Sequence, residues 1–89
     1  MAKVLASIKV FPADVSVSLE GLKSEIKSHL PAETSVYKFE EEPVAFGLVA
    51  LIAHILLPEE KSGAMDEIEQ ALKSMKNISE IQVLMVRRV

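Results

Sequence analysis

The chain has 89 residues, 49% of them hydrophobic, with no cysteine, no tryptophan and a formal net charge of −3. That length predicts one domain, residues 1–89, burying about 60–65% of its unfolded surface. The composition excludes a disulfide framework, a thiolate metal site and a cysteine nucleophile, and its acidic balance argues against non-specific nucleic-acid binding, which rests on clustered Lys and Arg. Three Phe and one Tyr leave an aliphatic core of Val, Ile, Leu, Met and Ala.

Lys3 to Phe11 alternates, with Val4, Ala6, Ile8 and Val10 on one face and Leu5, Ser7, Lys9 and Phe11 on the other. Period two with β-branched residues predicts a strand, stopped by Pro12, which donates no ladder hydrogen bond. Leu19, Leu22, Ile26 and Leu30 recur at three- and four-residue spacing, an amphipathic helix with Ser18 as its N-cap and Pro31 as its end. Gly21 weakens that helix by about 1 kcal/mol relative to Ala and suggests close packing on a sheet. Thr34 to Glu41 reads as a second strand. Gly47 to Leu57 reads as a third, apolar on both faces, which marks a central strand with both sides at least partly covered. This longest apolar run contains His54 and falls far short of the roughly 20 residues of a membrane span.

Pro58 to Gly63 is a polar connection. Met65, Ile68, Leu72 and Met75 form a second helical stripe, with Asp66 and Glu67 in the first turn, Lys73 and Lys76 in the last, and Asn77 as a C-terminal cap. Glu80 to Val89 alternates as a fourth strand. The order βαββαβ predicts an α+β, ferredoxin-like fold, a four-stranded antiparallel sheet with two helices on one face. No charged and then apolar leader opens the sequence. Together with the missing cysteines, this predicts a cytoplasmic protein with no membrane segment.

The fold does not decide the activity. An RNA-recognition sheet stacks bases on aromatic residues, and the third strand has none. An acylphosphatase-like site needs a phosphate-cradling turn after the first strand, and Phe11-Pro12-Ala13-Asp14 offers neither Gly nor Arg there. His29 and His54 have no second His at ligand spacing. Met1, Met65, Met75 and Met85 read as fillers of an aliphatic core. No Ser–His–Asp signature is present. We expect no cofactor, no metal and no covalent catalysis.

Two features exceed what a plain domain requires. Glu40-Glu41-Glu42-Pro43 leads into Val44-Ala45-Phe46-Gly47, read as a loop whose like charges repel and whose lone aromatic sits at the tip. Phe46 there is either a plug of the core or a partner anchor. The second feature is Arg87-Arg88, the only arginines in the sequence, close to its last residue.

The run from Glu41 to Leu51, with Val86-Arg87-Arg88-Val89, resembles the archaeal beta subunit of translation elongation factor one, a guanine nucleotide exchange family. The resemblance extends along the whole chain, from Val4-Leu5-Ala6-Ser7-Ile8-Lys9-Val10 to Val89. It implies a ferredoxin-like exchange factor for the GTPase that carries aminoacyl-tRNA, the alpha subunit in its GDP-bound form, with no direct nucleic acid. By resemblance to the eukaryotic exchange domains, Phe46-Gly47 contacts the GTPase, with Glu41, Glu42 and Pro43 in the same partner-binding segment. Arg88 takes the place of a penultimate lysine that reaches toward the partner's magnesium site, and Arg87 is a second candidate for that role. Arg in place of Lys keeps the cation but makes it planar and bulkier. An exchange factor of this kind is expected to be a monomer on its own. The alternative is a small ligand-sensing or assembly domain that pairs through its sheet face and is dimeric.

Overall fold

The computed structural model describes residues 3–59 and 63–89. Strand β1 spans Lys3–Pro12, helix α1 Leu19–His29, β2 Ser35–Ala45, β3 Leu48–Pro58, helix α2 Ala64–Lys73 and β4 Ile78–Arg88. The sheet runs β2-β3-β1-β4 with every neighbouring pair antiparallel. This is the ferredoxin-like arrangement that the alternating patterns predict. Met1 and the connection residues Glu60, Lys61 and Ser62 lie outside the described residues.

The core forms where the helical stripes meet one face of the two central strands. Ala6, Ile8 and Val10 of β1 and Leu51, Ala53 and Ile55 of β3 are fully buried there, with Leu22 and Ile26 of α1 and Ile68 and Leu72 of α2. Pairing sets small against large, Ala6 opposite Ile55 and Ile8 opposite Ala53, which lets facing side chains interdigitate. β3 is central, as its two apolar faces predict. Its other face carries Ala50, Ile52, His54 and Leu56, and there His54 bonds Ser7 and Glu40.

Local signals act where expected at α1. Ser18 accepts a hydrogen bond from the Gly21 N–H at 3.2 Å, and Leu30, ahead of Pro31, leaves the helix in an extended conformation. Four expectations are corrected. A Cβ on Gly21 would meet only Ser18 at 3.6 Å, so Gly21 serves no close approach to the sheet. α2 ends at Lys73 with Ser74 as its C-cap, which leaves Lys76 beyond the last turn. Asn77 is a tie instead of a cap. Its side-chain amide donates to Glu25 Oε1 at 2.9 Å, and its carbonyl accepts from the Ala13 N–H at 2.7 Å. Met75 is buried and Met65 packs against the core, but Met85 is 42% exposed, because it lies opposite Ser7 on the sheet face that the helices leave open.

The largest correction concerns residues 42–45. They continue the strand and are not loop. β2 continues to Ala45, with Glu42 opposite Ala50 and Pro43 opposite Val49. β2 lies at the sheet edge, the place where a strand tolerates a proline, and the acids there are compensated by cations described below.

Ile55 is fully buried at the centre of this core. Ile55→Ala should cost about 2–5 kcal/mol, read as a lower midpoint in chemical denaturation with the denaturant slope unchanged.

Candidate functional site at the two ends of the sheet

Antiparallel pairing sends the two sequence-predicted groups to opposite ends of the molecule. The hairpin tip Phe46-Gly47 lies at the end where β1 finishes and β4 begins. Arg87 and Arg88 lie at the other end, opposite Leu5 and Val4 of β1. The two ends of the 11-residue β3 are about 33 Å apart at the usual rise per residue. The structure does not bring the hairpin and the arginines together.

At the tip, two residues connect Ala45 to Leu48, which are paired. Both take positive φ, 53° at Phe46 and 80° at Gly47. A two-residue hairpin whose twist matches its strands needs this, and Asn or Gly is the usual occupant of the first position. Phe46 instead carries a bulky ring through a left-handed backbone, and its side chain is 100% exposed. It is not a core plug. Around Gly47, the nearest atom to a built Cβ is Val15 Cγ1 at 4.0 Å, so glycine is required by the backbone angle and not by crowding.

The acids behind the tip do not stand as mutually repelling charges. Successive side chains alternate faces. Glu41 turns toward α1 and meets Lys23 at 3.3 Å. Lys23 also meets Glu20, and these hydrogen bonds, Glu20 first, hold its ammonium above the ordinary lysine value. On the other face Glu42 pairs with Lys9 of β1, whose ammonium also lies 5.3 Å from the centre of the Phe11 ring. Glu40 accepts from His54 Nε2 at 3.0 Å and lies 3.6 Å from Lys38. Glu41 and Glu42 are thus ion-paired within the chain, and Pro43 continues the edge strand behind the turn.

Sequence reasoning missed a chain of Ser7, His54 and Glu40 on the face away from the helices. Glu40 can only accept, so Nε2 of the neutral ring carries the proton and Nδ1 accepts from the Ser7 hydroxyl at 2.8 Å. The residue types are those of a nucleophile relay, and the surroundings are not. Ser7 is 3% exposed and sits on a strand paired along both edges, so the backbone N–H groups that an oxyanion needs are committed to neighbours. The chain is a polar clamp joining β1, β3 and β2. No spacing in the sequence reveals it, because it depends on the register that sets Ser7 opposite His54. His29, by contrast, is exposed at the end of α1 with Nδ1 2.8 Å from the Glu25 carbonyl.

At the other end the two arginines diverge. Arg87 lies on the open face, beside Leu5, Tyr37, Leu56 and Val89 around a shallow recess. Arg88 lies on the helix side of the sheet, 78% exposed, with Nη2 2.6 Å from Glu59 Oε1. The Val89 N–H donates to the Lys3 carbonyl at 3.0 Å, which ties this end of β4 to β1. Glu59 carries no signal in the sequence, since only the sheet order brings residues 59 and 88 together.

Among the described residues no group of three metal-ligating side chains occurs, and no helix is long and apolar enough to cross a membrane. Reactive chemistry is absent from the one relay-like cluster, and the distinctive residues lie at two exposed ends. The fold and these surfaces define an α+β domain of the kind that works by contact with a partner.

The family model described as "EF-1 guanine nucleotide exchange domain" matches residues 5–89. "Elongation factor 1-beta" of Staphylothermus marinus is 38% identical over 89 residues, with 100% of this chain and 99% of the relative covered. The proteins of the same name from Methanothermobacter thermautotrophicus and Aeropyrum pernix are 40% and 42% identical, also with 100% of this chain and 99% of each relative covered. The C-terminal domain of the MgtC protein from Mycobacterium tuberculosis superposes with a TM-score of 0.64 over 92% of this chain and 85% of that one. At 8% identity it shares the fold alone. The chain belongs to the elongation factor 1 guanine nucleotide exchange family. Its function is guanine nucleotide exchange in translation elongation, on elongation factor 1-alpha, without covalent chemistry.

The hydrogen bond from His54, followed by the charge of Lys38, holds the Glu40 carboxyl below the ordinary glutamate value. A depressed folded value contributes stability above the unfolded value, lost as pH falls through the folded one. His54→Leu should raise the Glu40 midpoint toward that of a free glutamate in a carboxyl-carbon NMR titration, and should remove part of the acid-side loss of stability.

Proposed function

We propose that the exchange domain grips the GDP-bound alpha subunit at both ends of its sheet, with Phe46-Gly47 as an anchor and Arg88 as the cation that disturbs the partner's magnesium site. The observation that carries this reading is Phe46, a fully exposed aromatic in a left-handed conformation. The turn needs the left-handed backbone but not a bulky, exposed ring on it, and such strain collects at functional positions. Exposed aromatics that become buried are the usual anchors of interfaces. Glu41 and Glu42 act through the ion pairs that fix β2, and Pro43 lies two residues behind the turn's first strand partner, Ala45. The segment supports the tip and takes part in contact at its margin.

Magnesium bridges the phosphates of bound GDP to the GTPase. A guanidinium placed beside it competes electrostatically for the same oxygen ligands. Release accelerates because the exchange factor binds the nucleotide-poor state of the partner more tightly than the nucleotide-bound state. The molecule measures 42 Å along its longest axis, so anchor and cation engage separate regions of the GTPase. Arg87, on the opposite sheet face from Arg88, has a supporting role at the margin. The working form is a monomer in the cytoplasm.

GDP release from the alpha subunit, followed with a fluorescent nucleotide, tests both ends. Phe46→Ala should slow exchange at least tenfold with little change in melting temperature, since no core packing is lost. A loss of stability with exchange intact would remove the anchor.

Gly47→Val should lower both stability and exchange, because valine strains at φ near 80°. A variant unchanged in both would show that the turn has no such backbone requirement.

Deleting residues 87–89 should leave the protein folded, since only the last pairs of an edge strand go, and should abolish most catalysed release. Arg88→Lys should retain activity, Arg88→Ala should lose it and Arg87→Ala should matter less. Rising magnesium should inhibit the wild type far more than Arg88→Ala. Equal sensitivity would remove the competition mechanism.

A further inference from the structure

We propose that Glu59 is a positioning residue for exchange: its carboxylate holds the Arg88 guanidinium sideways across the end of the sheet in the free protein, and exchange proceeds from the released side chain. The inference rests on the assignment of the acting cation to Arg88. Arg88 is opposite Val4 on β1, while Pro58, beside Glu59, is opposite Lys3 on the other side of the same strand. β1 therefore lies between the two charges. Neighbouring strands are about 4.8 Å apart, so the two side chains together bridge about 10 Å of sheet. At 2.6 Å from Glu59, the guanidinium lies across the strands rather than along the direction in which β4 ends. A cation in that position does not project from the tip.

The two partners differ in exposure. The Glu59 side chain is 28% exposed and that of Arg88 78%. The carboxylate is the more buried half of the pair and the arginine the more accessible half. An exposed pair of this kind is weak and exchangeable, and the ligands around a bound metal-diphosphate offer the same oxygen chemistry as Glu59. The partner's pocket can thus take the guanidinium over from Glu59 in one swing. Holding the guanidinium aside opposes engagement, and that hold vanishes in Glu59→Gln.

The test uses the full chain and the GDP-loaded alpha subunit, with exchange factor below saturation. Glu59→Gln should accelerate release roughly two- to fivefold at low salt, the range an exposed ion pair allows. The gain should shrink as salt rises and should be absent when Arg88→Ala is also present. Glu59→Asp should keep the wild-type salt dependence. In the isolated chain, the Arg88 Nε–H NMR signal should shift in Glu59→Gln with no change in melting temperature. If Arg88→Ala slows release but Glu59→Gln leaves it unchanged or slower, the positioning role is overturned and the cation assignment stands. A gain that persists in the Arg88→Ala background likewise overturns the role of Glu59. If Arg88→Ala releases GDP at the wild-type rate, the cation assignment itself falls, and this proposal with it.

Discussion

Strand β1 is paired antiparallel on both sides, with β3 along one edge and β4 along the other. The rest of the molecule depends on that constraint. It commits the backbone of the central strands, so their side chains decide everything else. One face carries the aliphatic layer that both helices cover, and the other carries Ser7, Lys9 and His54. The same pairing fixes where the chain's ends and turns fall. A hairpin that leads into β3 and the last residues of β4 must lie at opposite ends of the sheet. Such pairing places the exposed Phe46 and the arginine pair at the two ends of one continuous body of paired strands.

The edge strand β2 shows how charge is used to keep that body in register. Three consecutive glutamates in a loop would repel one another. On a strand they alternate, and each meets a side chain of a different element: the His54 ring of β3, Lys23 of α1 and Lys9 of β1. Individually such pairs contribute little. Together they bind an edge strand to three neighbours and leave its outer surface charged, which discourages pairing with a second sheet. They also hold the base of the hairpin, so that Phe46 is presented on a fixed stem. The cost of its left-handed backbone and its exposed ring is then borne by a segment that is otherwise well tied.

Ser7, His54 and Glu40 illustrate why residue types alone do not define a reaction. Hydrogen bonds link them in the order that a hydrolase uses, yet the hydroxyl is sealed in the sheet. Burial and the committed backbone convert a possible relay into a clamp across three strands. Membership of the exchange family agrees with that physical reading, since exchange requires contact surfaces and no nucleophile.

The sequence by itself determined the element order, the central place of β3, the Ser18 cap and the composition of the core. These follow from period-two and helical repeats, from proline stops and from which residues prefer to leave water, all of which act locally. Its family resemblance, carried by Phe46-Gly47 and the terminal arginines, also reached the function. The sequence did not determine that Glu42 to Ala45 is strand, because like charges beside a proline read as a turn until the edge position and the lysines of other elements, Lys23 and Lys9, are known. It did not determine the fate of Phe46, since burial and exposure of an aromatic have the same local signature. The separation of Phe46 from Arg88, the meeting of Ser7 with His54, and the contact of Arg88 with Glu59 were decided only by the tertiary structure. Each depends on strand order and register, which arise when distant segments share one sheet and have no counterpart in the spacing of neighbouring residues.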